Sequence, residues 1–229
     1  MSKRYISPEE RIIVTVDAND DFLQMHHLAQ DLGPRARAFK LGQGLLLQDR
    51  PWSLVQFLSS RGVNVDLDAK YNEDADQMKT LVPQAFSRGF KHLSIGPGVG
   101  PDALVSAARA TTVKNSLFVS LPSSDPLLLH HSLSNIQEAN SRLRPHQQIS
   151  EVMCNVQDIS KVQSYGGFII VASGIRMHGE PSDDHPCVAT PAGALAEGAD
   201  YLAIGRSITG KADRAAAFEQ ILENMSTYL

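Results

Sequence analysis

Eight short apolar runs, each followed by a longer amphipathic stretch, divide the chain from Arg11 to Tyr228, and no other feature limits its fold as much. The runs are Arg11–Val16, Ala36–Leu41, Val63–Asp68, His92–Ile95, Ser116–Leu121, Ile149–Cys154, Gly167–Ala172 and Tyr201–Ile204. The stretches that follow them read as helices over about Asp20–Leu32, Leu45–Ser60, Asp74–Arg88, Pro101–Ala110, Pro126–Arg142, Ile159–Ser164, Thr190–Glu197 and Ala212–Tyr228. Strands that alternate with helices pair in parallel through right-handed crossovers. Continuous apolar runs suit strands buried on both faces. Eight such units in 229 residues predict an α/β fold, a (β/α)8 TIM barrel forming a single domain over 1–229. A doubly wound open sheet is the competing architecture. It would carry a glycine-rich turn after its first strand, whereas the turn here runs Asp17-Ala18-Asn19-Asp20-Asp21. No linker, repeat or low-complexity stretch marks a domain boundary.

Composition narrows the function classes. Lys plus Arg number 21 against 25 Asp plus Glu, a formal net charge of −4, with 42% apolar and 20% charged residues. This balance excludes disorder and a nucleic-acid binder driven by excess positive charge. No apolar run approaches the ~18 residues of a membrane-spanning helix, and the first residues lack a signal-peptide core. The expectation is a cytoplasmic protein. Cys154 and Cys187 form no disulfide framework or zinc spacing and read as small buried hydrophobes.

In such a barrel the chemistry sits where strands end and loops begin. Asp66, Asp68 and Lys70 are spaced by two, so an extended strand puts them on one face. Unpaired buried charge is too costly to persist, so this face lies at the barrel mouth or its charges are paired. Lys40, in the apolar context Ala38-Phe39-Lys40-Leu41, comes from the neighbouring strand. An array of lysines and carboxylates can bind an anion or protonate a developing carbanion; a solvent-exposed salt-bridge patch is the plain alternative. Near the C-terminus an apolar strand meets Gly205, Arg206 and Ser207, and the loop after the seventh strand offers Gly174 and Arg176. Glycine turns with an arginine fork on two adjacent loops suit a phosphate.

Together these motifs resemble orotidine 5′-phosphate decarboxylases. The segment IIVTVD with Asp17 is similar to that family's first strand. GPRARAFKLGQGLL with Lys40 is similar to its second, and VDLDAKYNE to its central Asp-x-Lys-x-x-Asp motif. SGIR and TPAGALAEGADYLAIGRSIT resemble its phosphate loops, all in order between Arg11 and Thr209. The resemblance implies a (β/α)8 homodimer with sites near the subunit interface. It also implies an enzyme that converts orotidine 5′-monophosphate to uridine 5′-monophosphate with no metal or organic cofactor, and with no nucleic-acid or membrane partner. Asp17 and Lys40 would contact the ribose hydroxyls, Asp68 would stand beside the substrate carboxylate, and Lys70 would deliver the proton. Ser123 would meet the pyrimidine, and Gly205 and Arg206 the phosphate, with Gly174 and Arg176 on the adjoining loop.

The chain also departs from that pattern. Glu73 stands in place of the motif's last Asp, a residue that reaches the partner's site, and Asp74-Ala75-Asp76-Gln77 replaces Ile-Pro-Asn-Thr. Ile95-Gly96-Pro97 ends strand 4, Pro122 precedes Ser123, Ser173 precedes Gly174, and His178 stands where a phosphate-contacting Gln is usual. The long loop carrying His178 and His185 is a candidate lid. Three readings follow: a divergent decarboxylase, a relative acting through Lys70 on another phosphorylated sugar or nucleotide, or a silent nucleotide-binding homologue. Joint retention of Asp17, Lys40, Asp68 and Lys70 argues against the last.

Overall fold

The computed structural model of the chain describes residues 6–16, 22–44, 51–112, 116–122, 125–183, 185 and 187–228. Eight strands form a closed barrel in chain order. They are β1 (Ile12–Val16), β2 (Ala38–Gly42), β3 (Val65–Tyr71), β4 (His92–Ile95), β5 (Ser116–Ser120), β6 (Glu151–Asn155), β7 (Ile169–Ser173) and β8 (Tyr201–Ile204). Every neighbouring pair is parallel, and β8 returns to β1 through Ile12 opposite Leu202. The single (β/α)8 barrel anticipated from the alternation is the fold observed; the open sheet is not.

Helices α1 (Phe22–Leu32), α2 (Pro51–Ser60), α3 (Ala75–Ser87), α4 (Pro101–Arg109), α5 (Pro126–Ser141), α6 (Ile159–Ser164) and α7 (Pro191–Ala196) connect the strands. A short α8 (Arg206–Thr209), which the apolar pattern did not predict, precedes the last helix, α9 (Arg214–Ser226). Local chemistry explains the helix starts. The side chains of Asp74, Asp125, Thr190 and Asp213 accept hydrogen bonds from the first free N–H groups of α3, α5, α7 and α9. Proline opens α2, α4, α5 and α7, where its missing N–H costs nothing.

The main core fills the space between strands and helices, from Val14, Phe39 and Leu67 out to Phe90, Leu133 and Phe218. A second, smaller core lies inside the barrel. Ile13, Ala38, Phe118, Met153, Val171 and Ala203 form it. Nearer the N-terminal ends of the strands the barrel holds paired charges. Asp66 meets His92 at 2.5 Å, Arg37 meets Glu151 at 2.6 Å, and the Arg37 guanidinium lies 3.8 Å from the centre of the Tyr201 ring. Thus an apolar layer separates ion pairs at the N-terminal end of the barrel from those at its mouth. Of the two cysteines, Cys154 is buried, which pushes its thiol up to about 12, while Cys187 is half-buried on the loop after β7.

Burial disfavours the charged form of His92, but the Asp66 carboxylate, aided by Glu151, outweighs it and raises its pKa above the ordinary histidine value. A raised folded-state pKa contributes stability that is full below the unfolded value, near 6.5, and is lost as pH rises through the folded one. The expected outcome is a Tm that falls as pH rises from about 6.5 in the native chain and is flatter in His92→Asn. Superimposable Tm profiles for the two proteins would contradict this account.

Candidate active site

The mouth of the barrel holds a cavity of ≈ 270 Å³. It is lined at one side by Lys40, Asp68 and Lys70, at its floor by Met153 and Ala203, and at the other side by Gly174, Arg176, Gly205 and Arg206. Inward alternation on parallel strands brings them together: Thr15 is in register with Lys40, and Gly42 with Asp68.

Lys40 is 5% exposed, and its Nζ lies 2.5 Å from Asp68 Oδ2. The Ser94 hydroxyl donates to the other oxygen, Oδ1, at 2.9 Å, and itself accepts from the Lys70 backbone N–H at 2.7 Å. Burial alone would raise the Asp68 carboxyl. The Lys40 ammonium, joined by Lys70 and the Ser94 hydroxyl, overrides it and holds the group below the usual carboxylate range.

Lys70 is exposed at the rim. Its backbone has φ +48°, a left-handed conformation uncommon for a side-chain-bearing residue. There the β3–β4 register breaks, between Leu67 and Tyr71. The chain passes so close to strand 4 that a Cβ on Gly96 would lie 2.9 Å from the Lys70 carbonyl oxygen. The glycine of the departure Ile95-Gly96-Pro97 thus has a steric cause. The left-handed backbone falls where strand 3 leaves the barrel, and Lys70 still lines the cavity with Asp68, on the face that spacing by two implies. Asp66, expected on the same face, serves the His92 pair below the apolar layer and does not line the cavity.

The loop after β7 is tied at its base. Ile175 bridges Ala189 in parallel, and the Arg176 N–H donates to the Ala189 carbonyl at 3.0 Å. Gly174 has φ +79°, and a Cβ there would lie 2.7 Å from the Cys187 carbonyl oxygen, so only glycine fits. The Arg176 guanidinium is buried and donates to the carbonyls of Ile175 and Pro181. Asp183 Oδ2 lies 3.3 Å from Arg176 and 2.9 Å from Arg206. Glu180 clamps the loop to α8, accepting from the Met177 N–H at 2.9 Å, the Ser207 hydroxyl and Lys211. Burial would raise the Glu180 carboxyl, but these donors together hold it below its ordinary value.

Seven of the eleven residues singled out from the sequence, Lys40, Asp68, Lys70, Gly174, Arg176, Gly205 and Arg206, line this one cavity. Glu73 and His178 are exposed and outside its lining, and Asp17 and Ser123 lie outside the described residues. His185 lines the cavity although sequence reasoning gave it no role beyond the candidate lid. Ser120 was also missed. It is 4% exposed, faces the cavity, and its hydroxyl has no hydrogen-bond partner among the described residues. The signal available was its place on β5, two residues after the inward-facing Phe118. Among the described residues, no three His, Cys, Asp or Glu side chains group to hold a metal ion, and no helix is long and apolar enough to cross a membrane.

The Lys40–Asp68 pair sits where removing one partner strands a buried charge. Lys40→Met is expected to lower unfolding stability by about 3–5 kcal/mol, and Lys40→Met/Asp68→Leu by clearly less, as read from urea denaturation. A double-mutant loss equal to the sum of the losses in Lys40→Met and Asp68→Leu would mean that the two groups act independently.

Comparison with known proteins agrees with this geometry. An orotidine 5′-phosphate decarboxylase of Enterobacter sp. (strain 638) is 28% identical over 235 aligned positions, covering 96% of this chain and 94% of that protein. One of Gloeothece citriformis is 26% identical, covering 95% and 98%. The crystal structure of orotidine 5′-phosphate decarboxylase from Pyrococcus horikoshii OT3 superposes with a TM-score of 0.75 at 18% identity, over 94% of this chain and 99% of that one. The corresponding Lactobacillus acidophilus structure gives 0.73 at 21% identity, over 94% and 99%; both show the shared fold. The model of the Orotidine 5′-phosphate decarboxylase / HUMPS family matches residues 10–221, and the chain belongs to that family.

Proposed function

We propose that this chain is a lyase that decarboxylates orotidine 5′-monophosphate to uridine 5′-monophosphate, using no metal or organic cofactor, with Lys70 as the proton donor. The observation that carries the reading is the meeting of a Lys–Asp–Lys array and an arginine pair at opposite sides of one cavity. A nucleotide has the matching polarity: an anionic phosphate at one end and a reacting carboxylate at the other. Family membership and the names of the curated relatives favour the same substrate.

In this mechanism the arginines and the glycine turns hold the phosphate, and that remote binding orients the reacting ring. The bond from C6 to the carboxylate breaks, carbon dioxide departs, and the electron pair stays on C6. The Lys70 ammonium stabilises that developing carbanion and then transfers its proton to C6. Asp68, held ionised by Lys40 and Lys70, faces the substrate carboxylate, and loss of carbon dioxide relieves the repulsion. Lys40 and Asp17 take the ribose hydroxyls. Ser120, alongside Ser123, offers its unpaired hydroxyl to the pyrimidine. Gly174, Arg176, Gly205 and Arg206 hold the phosphate, with His178 an outlying contact. Glu73 acts across a homodimer interface, and the enzyme works in the cytoplasm.

One observation favours a second reading, action through Lys70 on another phosphorylated sugar or nucleotide. Glu73 is exposed outside the cavity, and Asp74 next to it is committed to capping α3. Absorbance loss of orotidine 5′-monophosphate separates the two. Turnover by the native chain that falls at least about 10²-fold in Lys70→Ala supports the decarboxylase. Binding of uridine 5′-monophosphate without turnover transfers support to the second reading or to a silent nucleotide-binding homologue. Ser120→Ala is expected to weaken uridine 5′-monophosphate binding by about two- to ten-fold in calorimetry, the worth of one hydrogen bond. Unchanged affinity would remove Ser120 from the base contacts.

A further inference from the structure

The arginine pair assigned to the phosphate already holds an anion. Asp183 Oδ2 lies between Arg206 Nη1 at 2.9 Å and Arg176 Nη2 at 3.3 Å. A single carboxylate oxygen thus bridges two guanidinium groups that come from adjacent strands' loops and that both line the cavity. Asp183 lies on the exposed part of the loop, eight residues after Ile175 and six before Ala189, the two residues whose bridge ties its base. Its backbone has φ +51°, one of two non-glycine residues with positive φ among the described residues; the other is Lys70. Aspartate enters the left-handed region more readily than most residues, and this backbone aims its side chain at the arginines. Here the contacts are the two arginines and the turn that the His185 N–H closes on the Ser182 carbonyl at 3.1 Å.

We propose that Asp183 is a specificity-determining residue, a tethered carboxylate that occupies the anion position of the phosphate site and admits only an anion able to displace it. This rests on the assignment of Arg176 and Arg206 to phosphate. The chemistry favours a dianionic phosphoryl group as the entrant. It brings more charge and three acceptor oxygens, whereas Asp183 supplies one bridging oxygen to the pair. A free monocarboxylate offers the same chemistry as Asp183 and must compete with a tethered copy at an effective concentration of millimolar order. Asp183 therefore filters small monoanions from the site while it keeps the buried Arg176 guanidinium paired. Once phosphate enters, the loop around Asp183 loses its hold on the arginines. Its base stays fixed by the Ile175–Ala189 bridge and by the Glu180 clamp onto Ser207 and Lys211. The displacement is confined to the segment between those ties.

Asp183→Asn isolates the charge. Asparagine tolerates positive φ as well as aspartate does, so the backbone need not change. Inorganic phosphate, uridine 5′-monophosphate and uridine are titrated into the native chain and the variant by calorimetry. The expected result is that Asp183→Asn binds inorganic phosphate about five-fold more tightly, with a similar gain for uridine 5′-monophosphate and none for uridine. Asp183→Gly, which removes the side chain and also suits positive φ, should reproduce the gain. Unchanged or weaker phosphate binding in both variants overturns the proposal, as does failure of the native chain and both variants to bind phosphate at all. Tighter phosphate binding in the variants upholds it even where the native chain does not turn over orotidine 5′-monophosphate, an outcome that would count against the function alone. Turnover with no gain in phosphate affinity leaves the function standing and sinks the filter.

Discussion

The Lys40–Asp68 ion pair is the contact on which the mouth of this barrel depends. Eight closed strands converge their inward side chains on a narrow axis, so two charges on neighbouring strands, two residues apart in register, cannot avoid each other. Paired with Lys40, the Asp68 carboxylate is held ionised although it is largely buried. From that pair the rest of the array follows. Asp68 engages Ser94, Ser94 engages the Lys70 backbone, and the Lys70 backbone fixes where strand 3 leaves the barrel. The position of the exposed lysine is therefore set through backbone contacts, and its side chain is left free to meet a ligand.

The barrel interior is built in layers of opposite character. A band of Ile13, Ala38, Phe118, Met153, Val171 and Ala203 lies between the Asp66–His92 and Arg37–Glu151 pairs and the cavity. Charges at the two ends are kept apart by that apolar band, so the lower pairs contribute to folding without entering the site's electrostatics at close range. Placing ionic groups on both sides of a thin apolar floor is a stable solution only because each has a partner.

Much of this was legible in the primary structure. Strand–helix alternation gave the architecture because the barrel's period of apolar runs is long and regular. Lys40, Asp68 and Lys70 were legible because a two-residue spacing of charge in an apolar strand has few benign explanations. The same spacing gave Asp66 its face and left its depth open, since alternation says which face a residue takes and not how deep it lies along the barrel. The left-handed backbone at Lys70 carries no sequence signal, as no glycine or asparagine marks it; Gly96, just past the end of the next strand, was the mark, and its meaning required the three-dimensional approach. Asp183 and Glu180 act through partners such as Arg206 and Ser207, and His185 and Ser120 are placed by the cavity they line; polar residues in a loop or at a strand end look alike until that surrounding is known. The caps Asp74, Asp125, Thr190 and Asp213 stand at the other extreme: they are local, and each stands directly before its helix.

The parallel bridge between Ile175 and Ala189 closes the loop after β7 into a noose whose two ends lie side by side. A noose of this kind uncouples the length of the segment it encloses from the scaffold that bears it. Residues can be added or removed between the ties without moving Arg176 on one side or α7 on the other, because the closure cost of such a segment grows only slowly with its length. The ligand-facing rim of the barrel can therefore diverge by insertion and deletion while strands, floor and ion pairs stay unaltered, a freedom that makes this segment the natural place for relatives with one barrel to part company in what they accept.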